Sequence, residues 1–125
     1  MHKILIVEDD NILAQAIYTA VRRAGFSAEV AVDGEDALKK MKKIKPDVVL
    51  LDLILPKRSG EDVLGAMKQD ETLKEVPVLV ITVKGDKETI SQCVKMGIRG
   101  YLIKAHYTLQ EIINQIKKVI AETKK

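Results

Sequence analysis

Ile4-Leu5-Ile6-Val7 runs directly into Glu8-Asp9-Asp10, and a second apolar run, Val48-Val49-Leu50-Leu51, ends on Asp52. Short apolar runs bounded by polar residues read as strands buried on both faces, as in a parallel sheet covered by helices on each side. Both runs present carboxylates at their C-terminal ends, where open α/β sheets bind ligands. Three or four carboxylates gathered there repel one another unless a cation sits among them. A hard cation with oxygen ligands, such as Mg²⁺, suits the set. These acids therefore point to metal-assisted chemistry directed at a phosphoryl group.

The flanking sequence supplies the rest of an alternating pattern. Strands are expected at 3–7, 27–32, 47–52, 77–82 and 100–103, and helices at 11–24, 34–44, 60–69, 86–96 and 108–122. The first helix carries Ile12, Leu13, Ala16, Ile17, Ala20, Val21 and Ala24 at helical spacing, and Gly25 stops it. Asp10 reads as an N-cap or first-turn acid of this helix, favoured by the exposed amides there. The last helix carries Leu109, Ile112, Ile113, Ile116, Val119 and Ile120 on one stripe, opened by a capping box of Thr108 and Glu111. The segment Pro77-Val78-Leu79-Val80-Ile81-Thr82 is apolar throughout and belongs inside the sheet, whereas 27–32 is more polar and suits an edge. Strict alternation of five strands with five helices predicts an α/β doubly wound parallel sheet.

Composition bounds the function. A chain of 125 residues is one domain by length, 1–125, and long enough to bury roughly two thirds of its unfolded surface. Aromatics are few, Phe26, Tyr18, Tyr101 and Tyr107, which argues against base-stacking nucleic-acid modules. The densest basic run, Lys39, Lys40, Lys42, Lys43 and Lys45, reads as a solvated helix face, with an anionic partner as the other possibility. The single cysteine, Cys93, excludes an intrachain disulfide and suggests a reducing cytoplasm; it reads as a buried filler. His2 and His106 offer no metal spacing, and no apolar run approaches the roughly 18 residues of a membrane span. Lys124 and Lys125 read as a fraying end.

The loops after strands one, three, four and five should converge, bringing Glu8-Asp9-Asp10, Asp52, Thr82-Val83-Lys84-Gly85 and Lys104 to one edge. Acids to hold Mg²⁺, an aspartate nucleophile, a hydroxyl and a lysine make a coherent set for forming an aspartyl phosphate. The ordered set Glu8-Asp9, Asp52-x-x-x-Pro56-x-x-x-Gly60, Thr82, Tyr101 and Lys104 resembles a response-regulator receiver domain, similar to single-domain chemotaxis-type regulators, over essentially the whole chain.

The resemblance implies a flavodoxin-like strand order 2-1-3-4-5 and Asp52 as the phosphoacceptor. It implies Mg²⁺ held directly by Asp9, Asp52 and the backbone carbonyl of Ile54, with Glu8 acting largely through water. Thr82 and Lys104 would contact phosphoryl oxygens, and Thr82 and Tyr101 would form a switch pair in which Tyr101 rotates inward. The implied partners are a sensor histidine kinase or phosphotransfer protein, and a downstream protein or output domain. The latter would bind helix 86–96, strand 100–103 and helix 108–122, a face exposing Lys87, Gln92, Lys95, Arg99, Lys117 and Lys118. Direct nucleic-acid or membrane binding is not expected.

Three features depart from the pattern. Ala105 stands where receivers commonly have a cis proline; a cis non-proline bond costs about 3 kcal/mol, so a trans bond, a looser turn and a less tightly held Lys104 are expected. Val83 follows Thr82 where a small residue is frequent and narrows access. Ile54 and Lys84 flank the site, and Ile54 cannot orient a hydrolytic water, which favours slow self-dephosphorylation.

A Rossmann-type nucleotide binder would need glycines after strand one, where this chain has acids. A haloacid-dehalogenase-type phosphatase would need an acid at Ile54. No turnover enzyme is therefore expected, only catalysis of the protein's own phosphorylation and dephosphorylation. The alternative is a receiver-like interaction module that works without phosphorylation.

Overall fold

The computed structural model describes residues 1–123, so the reading of Lys124 and Lys125 lies outside the described residues. The elements in chain order are β1 Lys3–Val7, α1 Asn11–Arg23, β2 Ser27–Ala31, α2 Gly34–Ile44, β3 Val48–Leu51 and α3 Gly60–Lys68. There follow β4 Val78–Thr82, α4 Lys87–Lys95, β5 Gly100–Ile103, a single 3-10 turn at Lys104–His106, and α5 Leu109–Thr123. The five strands pair in parallel in the order β2-β1-β3-β4-β5.

Period-two alternation along the strands divides the core. Leu5, Val7, Val49, Leu51, Val78 and Val80 face α2, α3 and α4, where Met41, Val63, Leu64, Met67 and Cys93 pack on them. Ile4, Ile6, Val48, Leu50, Leu79, Ile81 and Leu102 face the other way, onto Ile17 and Val21 of α1 and Ile112, Ile113 and Ile116 of α5. Both faces are apolar, so β1, β3 and β4 are continuous hydrophobic runs. The edge strand β2 is only partly buried, in keeping with its polar sequence.

The punctuation residues act as expected. Asp10 caps α1, accepting from the amides of Ile12 and Leu13. Gly25, at φ 95°, ends it with the Phe26 amide on the Val21 carbonyl and the Gly25 amide on the Arg22 carbonyl. Thr108 and Glu111 exchange reciprocal side-chain bonds to each other's amides at 2.8 and 3.1 Å. In the basic run of α2, Lys40 pairs with Asp36 and Lys42 with Asp70, while Lys39, Lys43 and Lys45 are exposed.

Two residues assigned to apolar stripes are not core. Ile12 is 84% exposed and Leu109 39%. Each lies in the first turn of its helix, at the strands' C-terminal edge of the sheet, where no further layer covers it. Periodicity gives the direction of a side chain but not whether the sheet extends far enough to meet it.

Candidate functional site: an acidic pocket closed by a lysine

The parallel ladder continues one residue past β1 and β3. The Glu8 amide bonds to the Ala31 carbonyl and the Asp52 amide to the Val7 carbonyl, both at 3.0 Å. This sets Glu8 and Asp52 side by side at the sheet's C-terminal edge, both almost fully buried, while Asp9 is exposed beside them. One carboxylate oxygen from each of Glu8, Asp9 and Asp52 falls within 4.8 Å of the others.

Lys104 reaches into this cluster from the end of β5. Its Nζ lies 2.7 Å from Asp52 Oδ2 and 2.8 Å from Glu8 Oε1. The other Asp52 oxygen accepts from the Ile54 amide at 3.1 Å, and the second Glu8 oxygen accepts from the Asp10 amide at 3.1 Å. Burial pushes the Glu8 carboxyl above its usual range; contact with Lys104 and the Asp10 amide pull it down, and the charge of Asp52 pushes it further up. Burial alone would discharge Lys104, but its contacts with Asp52 and Glu8 outweigh that and raise its pKa. The expectation of a loosely held Lys104 is therefore corrected. The Lys104–Ala105 bond is trans, as expected, and the 3-10 turn that follows still delivers the ammonium to two carboxylates.

Gly60 packs against the backbone of Asp52 and Leu53. A Cβ there would lie 2.5 Å from Leu53 Cα and closer still to the Asp52 carbonyl oxygen. Its amide donates to the Leu53 carbonyl at 2.9 Å. Only a residue without a side chain lets α3 start this near to the 52–53 backbone.

Thr82, fully buried, ends β4. Tyr101 pairs with Val80 on the neighbouring strand, so Thr82 and Tyr101 share one face of the sheet. The Tyr101 ring already lies inward: its hydroxyl donates to the Lys84 carbonyl at 2.7 Å. Burial, followed by the neighbouring Cys93 and nearby acids, pushes the phenol up to about 12. Ile54 and Val83, 49% and 63% exposed, flank the pocket mouth as branched apolar side chains.

The geometry thus brings together Glu8, Asp9, Asp52 and Lys104, and sets Thr82 and Tyr101 on the adjoining strands. Sequence reasoning missed that Lys104 bridges both buried acids. It also missed that Lys84 pairs with Glu61 at 3.2 Å. Glu61 lies in the first turn of α3 and Lys84 in the connection after β4, so both stand near the strands' C-terminal edge, but no local spacing pairs them.

Residues 4–117 match the family model of the response regulator receiver domain. The chain belongs to this family. As a receiver, it is 36% identical to chemotaxis protein CheY-3 of Vibrio cholerae over 117 residues, covering 91% of this chain and 90% of that protein. It is also 36% identical over 120 residues to the sensory transduction protein RegX3 of Mycobacterium tuberculosis, covering 96% of this chain and 51% of that protein. The receiver domain of Francisella response regulator 1452 superposes with a TM-score of 0.91 at 27% identity, covering 99% of this chain and all of that one. The chain spans about half the length of several curated relatives it matches. The doubly wound parallel sheet is as the strand–helix alternation predicts, and the order 2-1-3-4-5 is as the resemblance implies. No helix among the described residues is long and apolar enough to cross a membrane.

Proposed function

We propose that this receiver accepts a phosphoryl group on Asp52 from a histidine kinase, a phosphotransfer protein or a small phosphodonor. The observation that carries the reading is a buried aspartate held 2.7 Å from a lysine ammonium, beside two more carboxylates. An Asp52 oxygen attacks phosphorus, the bond from phosphorus to the donor's nitrogen or oxygen breaks, and the electron pair leaves with the donor. Lys104 stabilises charge on the phosphoryl oxygens, and the Thr82 hydroxyl donates to another once the group is in place. Ile54 offers no group to orient water for hydrolysis, which favours a long-lived product. Phosphate labelling of the protein by acetyl phosphate in Mg²⁺, absent in EDTA, tests the reading. Label that is independent of the metal, or absent under both conditions, contradicts it.

The donor set fits Mg²⁺. It is all oxygen, and Glu8 Oε1, though 2.8 Å from Lys104, accepts no well-aligned hydrogen bond among the described residues. Asp9, Asp52 and the Ile54 carbonyl would bind the ion directly and Glu8 through water, and the ion would neutralise charge on the transferring group. A ligand that binds only the folded state at about 100 times its dissociation constant adds about 2.7 kcal/mol of stability. Chemical denaturation with and without Mg²⁺ is expected to show a gain of that size. Asp9→Asn is expected to shrink the response and to stabilise the metal-free protein by removing a like charge.

The output is read through α4, β5 and α5. Lys87, Gln92, Lys95, Arg99, Lys117 and Lys118 are all exposed there, and the excess of positive charge favours an acidic partner or output domain and salt-sensitive association. A beryllofluoride phosphate mimic is expected to alter amide exchange in 95–107 as well as in the site loops 8–10, 52–59 and 82–86. Changes confined to those loops would remove this face from the mechanism. The proposed setting is the cytoplasm, in keeping with the unpaired, buried thiol of Cys93.

A further inference from the structure

Lys84 is tied at three points. Its amide donates to Thr82 Oγ1 at 3.4 Å, its carbonyl accepts from the Tyr101 hydroxyl at 2.7 Å, and its Nζ lies 3.2 Å from Glu61 Oε2. The first two ties involve backbone atoms and run to the two switch residues. The third is the side chain's own and runs to a different element, the first turn of α3. Between β4 and the Asp86 cap of α4 the chain has no regular structure, and Gly85 follows Lys84 directly, so no helical or strand ladder fixes this loop. Tyr101 packs against the core cluster that contains Cys93, and the charges of Glu61 and Lys84 both act on that thiol. Burial raises the Cys93 thiol, Glu61 pushes it further up, and Lys84 opposes.

We infer that Glu61 and Lys84 are positioning residues whose ion pair straps the 83–86 loop to α3, presenting the Lys84 carbonyl to Tyr101 and holding the ring inward before any phosphoryl group arrives. This rests on the reading of Tyr101 as a switch residue, and it sets the resting point of that switch. The side chains are 27% and 38% exposed, so water and salt screen the pair in part. A contact of this kind changes a local equilibrium by roughly 1.4- to fivefold. That is enough to bias a ring between two positions without locking it.

The test uses the unphosphorylated full chain, so it fails or succeeds separately from phosphate labelling at Asp52. Two readouts follow the ring: its contacts with the Lys84 region by NMR, and the rate at which a soluble disulfide reagent modifies Cys93, the only thiol and fully buried. Glu61→Gln and Lys84→Met are expected to move the ring outward and to raise the Cys93 rate by about two- to fivefold. Raising salt is expected to do the same to the parent protein and nothing to the variants. Lys84→Arg keeps the charge and is expected to retain the parent behaviour. The charge-swapped double variant, Glu61→Lys with Lys84→Glu, is expected to restore it. Unchanged ring contacts and thiol rate in Glu61→Gln overturn the inference. So does a double variant no closer to the parent than the single ones, because a merely structural loss would not be recovered by reversing both charges.

Discussion

Replacing Lys104 with methionine is expected to destabilise the metal-free protein by about 3 kcal/mol, because it leaves two buried carboxylates without their cation. The side chains of Glu8 and Asp52 are 2% and 4% exposed, and Lys104 sits within 2.8 Å of both. Methionine fills similar volume, so the loss is electrostatic rather than a cavity. Without the ammonium the two carboxylates repel one another, and burial already raises the Glu8 carboxyl above its usual range. Mg²⁺ would restore positive charge to the same acids, so the stability gained on adding it is expected to be larger in Lys104→Met than in the parent. Urea denaturation at matched Mg²⁺ concentrations measures both effects. An unchanged midpoint without metal would show that Lys104 does not neutralise the pair.

Gly60→Ala is expected to cost about 2 kcal/mol or more and to slow labelling of Asp52 by about 100-fold. The new methyl meets backbone, not a flexible side-chain end, so Leu53 and the Asp52 carbonyl must shift. A displacement of about 1 Å at a reacting group is enough for a rate loss of that order. Gly65, in the same helix, has open space where a Cβ would go. Gly65→Ala is accordingly expected to stabilise by about 0.5 to 1 kcal/mol, with labelling unchanged. The contrast separates a loss of helix entropy, common to both sites, from the close approach found only at Gly60.

Much of this was legible in the sequence because its signals are local. The runs 4–7 and 48–51, each ending in acid, define buried parallel strands and place their carboxylates together. Asp10, Gly25, Thr108 and Glu111 mark helix ends through their own backbone chemistry, and they cap as read. What was not legible depends on distances across the fold. Ile12 has the right period but lies beyond the covered part of the sheet. Ala105 in place of proline suggests a slack turn, yet the pull of two carboxylates fixes Lys104. The pairing of Glu61 with Lys84 joins residues 23 apart, which nothing in their spacing announces.

The most direct measurement locates the phosphoryl group. After exposure to acetyl phosphate and Mg²⁺, borohydride reduction traps an acyl phosphate as a stable residue that peptide mass spectrometry can place. The predicted result is a single modified position, Asp52, with no modification in Asp52→Asn. Modification at any other residue, or a folded protein that binds Mg²⁺ and acquires no phosphoryl group, would contradict the account.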